Sequence, residues 1–258
     1  MSSNESAFKT PEKIYKKFPE RSKQLLDRIV QFIEPQTGET IIDVGTGAGF
    51  LALGLSKKVG RDGKVIGLDT SRSALQQARR KAAKENLSHV LKFRVGDVYS
   101  LPLKDNLADA VCCKSLIASL DLRKKAVREM ARVAKHDGRV IIAEPGELVG
   151  LPTSVKRAYY KAIMRRPLTE RNARDLFQSA GLKSVVITTN EPSVVTDVSV
   201  FEWATENLFG ECSLWQFAVE GGLADEKVRL LHEDIVRQVK ANGVKFGSME
   251  IFCRGIKP

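Results

Sequence analysis

Residues 41–50 read IIDVGTGAGF, a strand-like apolar run that breaks into three alternate glycines, Gly45, Gly47 and Gly49. A further apolar run at 51–55 is typical of the start of a helix. Glycine has no Cβ atom, so the backbone can approach a ligand closely. The N-terminus of the following helix points unpaired N–H groups at any anionic group there. The stretch therefore predicts a small-molecule site at the carboxyl end of the first strand of an open parallel sheet.

Three acidic residues stand at or near the ends of successive predicted strands. Asp43 lies just before the glycine turn. Asp69 ends the apolar run 65–68, and Asp97 follows the run 93–96. Because the carboxyl ends of parallel strands meet at one edge of a sheet, we expect these carboxylates to border one cleft. At the end of the second strand, a carboxylate can accept hydrogen bonds from both hydroxyls of a ribose.

The glycine spacing separates the possible ligands. The dinucleotide fingerprint is G-x-G-x-x-G, and Phe50 stands where its third glycine would be. Together with the three acids, the pattern resembles the class I S-adenosylmethionine-dependent methyltransferases, in particular their ubiquinone-biosynthesis-like small-molecule group. The resemblance covers residues 40–190 well, the last strand weakly and an insertion at 192–245 not at all. A glycine turn with incidental acids and a nicotinamide site are the alternatives.

The resemblance implies S-adenosylmethionine as cofactor, with S-adenosylhomocysteine as its product. The three glycines would border the methionine part of the cofactor. Asp69 would hold the ribose, and Asp97 with Val98 would meet the adenine. The complete set of predicted cofactor-binding residues is Asp43, Gly45, Thr46, Gly47, Gly49, Asp69, Thr70, Gly96, Asp97, Val98, Lys114 and Ser115.

Catalytic residues are less well marked. Methyl transfer from a sulfonium depends mainly on alignment and the exclusion of water, and it needs a base only if the acceptor must lose a proton early. Glu144, at the end of predicted strand five, is a candidate catalytic base, although it could equally cap a helix or bind an acceptor group. His89 and His136 precede predicted strands, at the wrong edge of the sheet for catalysis. The four cysteines include no C-x-x-C pair, so neither a metal site nor a disulfide framework is indicated.

Helix and strand patterns alternate along residues 40–190, which predicts βαβ units. We expect an α/β fold with a Rossmann-like, doubly wound, mostly parallel seven-stranded sheet and an antiparallel last strand near 249–254. Between strands six and seven, a helical cap insertion would carry a group of aromatic residues. These would either attach the insertion to the sheet or form the wall of an acceptor pocket: Phe201, Trp203, Phe209, Trp215 and Phe217.

The predicted organisation is a single methyltransferase domain over 1–258. Its parts are an N-terminal lid and helix at 1–35, a cofactor-binding core at 40–190, the helical cap at 192–245 and the last strand at 246–258. Tyr15 and Phe18, in the lid, are candidate pocket walls, with plain packing as the alternative.

Composition fits a globular protein. The 258 residues are 43% hydrophobic and 28% charged. The start shows no basic segment followed by an apolar one, and no apolar run is long enough to cross a bilayer, so we expect a soluble, cytoplasmic protein. The net charge of +11 is spread over several helices, which is typical of a solvated surface. A basic balance also suits nucleic acid, an anionic membrane surface or an acidic substrate.

Three functions remain open on the sequence alone. The first is methyl transfer to a small, apolar or aromatic acceptor, such as a quinone-like molecule. The second is methylation of RNA or protein through the basic surface, although the Asn-Pro-Pro-Tyr and Pro-Cys motifs of nucleic-acid enzymes are absent. The third is a non-catalytic module that binds the cofactor and acts by association. The acceptor atom and the oligomeric state are not determined.

Overall fold

The computed structural model describes residues 19–162, 166–192, 194–207 and 213–258. Tyr15, Phe18 and most of the predicted lid lie outside these residues. The chain groups into two compact units. The sheet unit comprises Lys23–Glu144, Leu168–Thr188 and Ile251–Pro258, and the helical unit is built mainly from Pro145–Pro167 and Thr189–Glu250.

The strands of the described chain are β1 (Thr40–Val44), β2 (Lys64–Asp69), β3 (Leu91–Val95), β4 (Ala108–Lys114), β5 (Ala134–Val149), β6 (Lys183–Asn190), β7 (Val194–Val195), β8 (Val244–Lys245) and β9 (Gly247–Ile256). The helices are α1 (Pro19–Ile33), α2 (Phe50–Val59), α3 (Arg72–Lys84), α4 (Arg123–Val133), α5 (Thr153–Ala162), α6 (Glu170–Ser179), α7 (Val198–Asn207), α8 (Leu214–Glu220) and α9 (Asp225–Asn242). Among these described helices, none combines the length and the apolar character that crossing a bilayer requires. The cytoplasmic location stays a prediction.

Within the described residues, the main sheet has seven strands in the order β3-β2-β1-β4-β5-β9-β6. It is mostly parallel with one antiparallel strand, which confirms the predicted fold class. β1 lies between β2 and β4 and is parallel to both, so that Ile42 is opposite Ile66 on one side and Val111 on the other. Because the chain winds away from β1 in both directions, the carboxyl ends of β1 and β4 flank the crevice where such sheets bind ligands.

Alternate residues of β1 serve two cores, one on each face of the sheet. Ile42 and Val44 belong to a core that includes buried residues of α4 and α6. Ile41 belongs to a second core with residues of α1, α2 and α3. A strand that is buried on both faces is apolar on both, which is why Ile41, Ile42 and Val44 are all apolar and only Asp43 departs from the pattern.

β5 differs from the sequence prediction at its start. Residues 136–138 (His-Asp-Gly) are typical of a tight turn, which predicts a strand only at 139–144, but β5 runs from Ala134 to Val149. Its register with β4 shifts over these residues, and Asp137 has a left-handed φ of +60°. The Asp137 N–H donates to the carbonyl of Lys257 (2.9 Å). The C-terminal segment therefore pairs with residues 136–138 and makes them part of the strand. The turn residues are therefore present as a bulge inside a longer strand.

The helical unit has a core of its own. Phe201 is fully buried there, with its ring centroid 4.8 Å from that of Phe246 and 6.5 Å from that of Trp215. Phe201 is therefore a packing residue, and its side chain has no exposed surface that an acceptor could contact. The side chain of Trp203 and all of Phe209 lie outside the described part of the structure.

Packing of α4 against the sheet provides a stability test. Met130 is fully buried in the core beneath the sheet, whereas Leu122, at the start of the same helix, is 56% exposed. Met130→Ala should lower the free energy of unfolding by about 2–5 kcal/mol, because it leaves a cavity. Leu122→Ala should change it by less than about 0.5 kcal/mol. Urea denaturation of both variants measures the difference, and equal losses would contradict this description of the core.

Candidate functional site

The glycine turn at residues 45–49 joins β1 to α2 at the crevice. Gly45, Gly47 and Gly49 have φ values of +71°, +52° and +85°, a left-handed conformation that glycine adopts without strain. A Cβ atom on Gly49 would lie 3.0 Å from the Cβ of Ala78, so this glycine lets α2 approach α3 closely. A Cβ atom on Gly47 would meet no atom within 4 Å. Gly47 therefore presents an open stretch of backbone to which a ligand can come close.

Asp69, at the end of β2, is fixed directly beside this turn. One carboxylate oxygen accepts the N–H of Gly47 (2.8 Å), and the other accepts the N–H of Ser71 (2.8 Å). An ionised carboxylate has about four acceptor sites, so both oxygens keep capacity for ligand hydroxyls. Thr70, next to it, is exposed. The structure thus brings together Gly47 and Asp69, which the sequence analysis placed in one cofactor site.

The loop after β3 extends the same edge. The Gly96 N–H donates to the backbone carbonyl of Asp69 (3.1 Å). The exposed Asp97 carboxylate accepts the N–H of Tyr99 (2.9 Å), and Val98 is buried. The carboxyl edge of the sheet therefore carries, in order, the glycine turn after β1, Asp69 at the end of β2 and Asp97 after β3. The sequence analysis predicts that these groups border one cleft.

Asp43 lies beneath the glycine turn. It is 1% exposed, and its carboxylate accepts the hydroxyl of Thr46 (2.7 Å) and a backbone hydrogen bond from Ala52. Burial raises the pKa of Asp43 to about 7, although these hydrogen bonds and the charge of Lys114 oppose the shift. The side chain therefore supports the turn and the first residues of α2 from below.

The end of β4 supplies the cationic part of the site. The Lys114 ammonium donates to the Ser115 hydroxyl (3.1 Å) and lies 5.8 Å from the ring centroid of Phe50, a cation–π distance. Phe50 is the residue that departs from the dinucleotide fingerprint. The structure thus joins β4 to the residue that directly follows the glycine turn.

Glu144 is buried at 2% exposure on the adjacent strand β5. Its Oε1 accepts the N–H groups of Leu116 and Ile117, each at 2.6 Å. Leu116 in turn lies against the glycine turn, because its Cδ2 would be 3.0 Å from a Cβ atom on Gly45. Sequence reasoning missed Leu116, since its glycine partner is distant along the chain and no local pattern marks the pair.

The fold is that of a Rossmann-like α/β domain, with a candidate ligand-binding crevice between β1 and β4. Solved structures share the fold. The chain aligns over 92% of its length with 53% of a phosphoethanolamine N-methyltransferase 2 from Haemonchus contortus, at a TM-score of 0.60 and 16% identity. It aligns over 91% with 81% of the cyclase SpnF, at a TM-score of 0.60 and 21% identity.

Sequence relatives cover the same core. A demethylmenaquinone methyltransferase of Desulfitobacterium hafniense is 33% identical over 44% of this chain and 45% of its own length. An arsenite methyltransferase of Halobacterium salinarum is 31% identical over 46% of this chain and 30% of its own length. The chain thus spans less than half of these two curated relatives. The methyltransferase domain family model matches residues 35–181, more than half of the chain. The chain belongs to this methyltransferase domain family, which confirms the resemblance seen in the sequence.

The raised pKa of Asp43 predicts a pH dependence of stability. Between about pH 4 and about pH 7 the unfolded chain has released this proton and the folded chain has kept it, so the free energy of unfolding falls as pH rises through that window. Asp43→Asn should flatten this slope, as followed by urea denaturation across the window. The matched control Asp62→Asn, in an exposed turn before β2, should keep the wild-type slope. An unchanged slope in Asp43→Asn would contradict the assignment.

Proposed function

We propose that this chain is an S-adenosylmethionine-dependent methyltransferase that acts on a small, apolar or aromatic acceptor. The observation that carries the proposal is the open backbone of Gly47 beside the fixed carboxylate of Asp69, at the crevice between β1 and β4. Membership of the methyltransferase domain family supports the reaction class. The name of the demethylmenaquinone relative supports a quinone-like acceptor.

The residues of the crevice suit this cofactor. The open face of Gly47 would receive the methionine part, and the free acceptor positions of Asp69 would receive the ribose hydroxyls. Asp97 and Val98, farther along the same edge, would meet the adenine. The Lys114 ammonium would pair with the carboxylate of the methionine part.

The chemistry divides between cofactor and protein. When bound, S-adenosylmethionine supplies a methyl group that its sulfonium has already activated. The chain's residues would bind and orient the reactants and exclude water, which accounts for much of the rate in reactions of this kind. Lys114, beside the turn, would hold one end of the cofactor while Asp69 holds the ribose. A cofactor that is held at both of these points would present its methyl group in a defined direction.

Cofactor binding tests the role of Asp69. Asp69→Ala should weaken binding of S-adenosylmethionine at least about tenfold, because one hydrogen bond to a charged group contributes about 1.5–3 kcal/mol. Asp69→Asn keeps one acceptor oxygen and should have an intermediate effect. Isothermal titration calorimetry measures both, with Asp62→Ala, at the opposite end of β2, as the matched control that binds like wild type. Wild-type affinity in Asp69→Ala would defeat the ribose assignment.

Transfer of a labelled methyl group tests the acceptor. The wild-type protein should label a reduced naphthoquinone and leave total RNA unlabelled. The net charge of +11 favours RNA as a second candidate acceptor. Labelling of RNA, with an affinity that falls steeply as salt rises, would support that candidate, because phosphate contacts release counterions. Tight cofactor binding with no transfer to quinone, RNA or protein would support a non-catalytic module instead.

A further inference from the structure

The turn that follows β4 is held by Ala143 and Glu144 of β5 through three of its consecutive backbone N–H groups. The Ser115 N–H donates to the carbonyl of Ala143 (2.9 Å). The N–H groups of Leu116 and Ile117 both donate to Oε1 of Glu144 (2.6 Å each). Ser115 has a left-handed φ of +55°, a conformation that is strained for a residue with a Cβ atom. The turn therefore depends on these hydrogen bonds for its shape.

The same turn forms one side of the ligand crevice. Leu116 packs against Gly45, whose added Cβ atom would lie only 3.0 Å from the Leu116 side chain. Lys114, directly before the turn, reaches the ring of Phe50 on the far side of the glycine turn. A displacement of this turn would therefore change both the packing on Gly45 and the position of the Lys114 cation.

We propose that Glu144 is a positioning residue, which holds the turn after β4 so that Leu116 and Lys114 meet the cofactor beside Gly45. The two N–H groups converge on the single oxygen Oε1 at 2.6 Å each, which is shorter than the usual N–H···O distance of about 2.9–3.0 Å. Removal of the Glu144 carboxyl group leaves two N–H groups without their acceptor, which is unfavourable when they stay buried. In this role Glu144 acts through the turn and not as a base on the acceptor. The inference rests on the proposed function for its link to the cofactor.

The pair Glu144→Gln and Glu144→Ala separates positioning from base catalysis. Glutamine keeps the Oε1 acceptor, so Glu144→Gln should bind S-adenosylmethionine within about threefold of wild type and keep the wild-type pH profile of turnover. Glu144→Ala should weaken cofactor binding by about tenfold or more. A catalytic base would show the opposite result, with turnover of Glu144→Gln reduced about 10²–10⁴-fold at unchanged cofactor affinity. That result would overturn the proposal.

Glu39 provides the matched control. Its carboxylate also accepts a backbone N–H, from Gln36 (2.8 Å), and pairs with Arg139, but it lies at the amino end of β1. Glu39→Ala should lower stability and leave cofactor affinity unchanged. If Glu144→Ala behaves in the same way, Glu144 has only a structural role and the proposal fails.

Amide hydrogen exchange provides a readout that needs no cofactor. Glu144→Ala should accelerate exchange at Leu116 and Ile117 and, through the packing of Leu116, in the glycine turn at 45–49, whereas Glu39→Ala should not.

Leu116→Ala should reproduce the loss of cofactor affinity with Glu144 intact, which covers the case in which Glu144→Ala does not fold. If wild type fails to bind S-adenosylmethionine, the proposed function fails, and the exchange data still decide whether Glu144 holds the turn. Unchanged exchange at Leu116 and Ile117 would overturn the proposal.

Discussion

The hydrogen bond between the Gly47 N–H and the Asp69 carboxylate joins the two strands on which the site is built. It fixes the open backbone of Gly47 beside the carboxylate of Asp69. Neither group would define a candidate site alone. The bond is possible because β1 and β2 are parallel neighbours that end at the same edge of the sheet. The order of the strands in the sheet therefore determines which groups meet at the candidate site.

Buried carboxylates support the crevice from within. Asp43 holds the glycine turn through Thr46, and Glu144 holds the turn after β4 through two N–H groups. Asp43 accepts the Thr46 hydroxyl and a backbone hydrogen bond from Ala52 in the first turn of α2, whereas Glu144 accepts two backbone N–H groups. Burial strengthens such hydrogen bonds by excluding water. A buried acidic side chain therefore lies beside each of the two turns that border the crevice.

Phe201 shows which of two possible roles an aromatic residue of the helical unit has. The concentration of aromatic residues in the sequence was compatible with an acceptor wall, yet Phe201 is enclosed by the unit's own side chains. A helical insertion needs a core of its own before it can offer any surface to a ligand, and large rings are efficient at forming one. Phe201 is therefore a core residue of the helical unit, and the grouping of aromatic residues in the sequence did not by itself distinguish a core from a binding site.

The sequence by itself determined the fold class and one rim of the crevice, because these depend on local patterns. The apolar run at 41–44, the alternate glycines and Asp69 at the end of its strand are each visible within a few residues. Tertiary structure alone decided the contact of Leu116 with Gly45, the link from Lys114 to Phe50 and the hydrogen bonds of Glu144 to the turn after β4. These contacts join residues that are far apart in the chain and that meet only when β4 lies between β1 and β5. No local preference encodes such a meeting, since it is a consequence of strand order and register across the whole sheet.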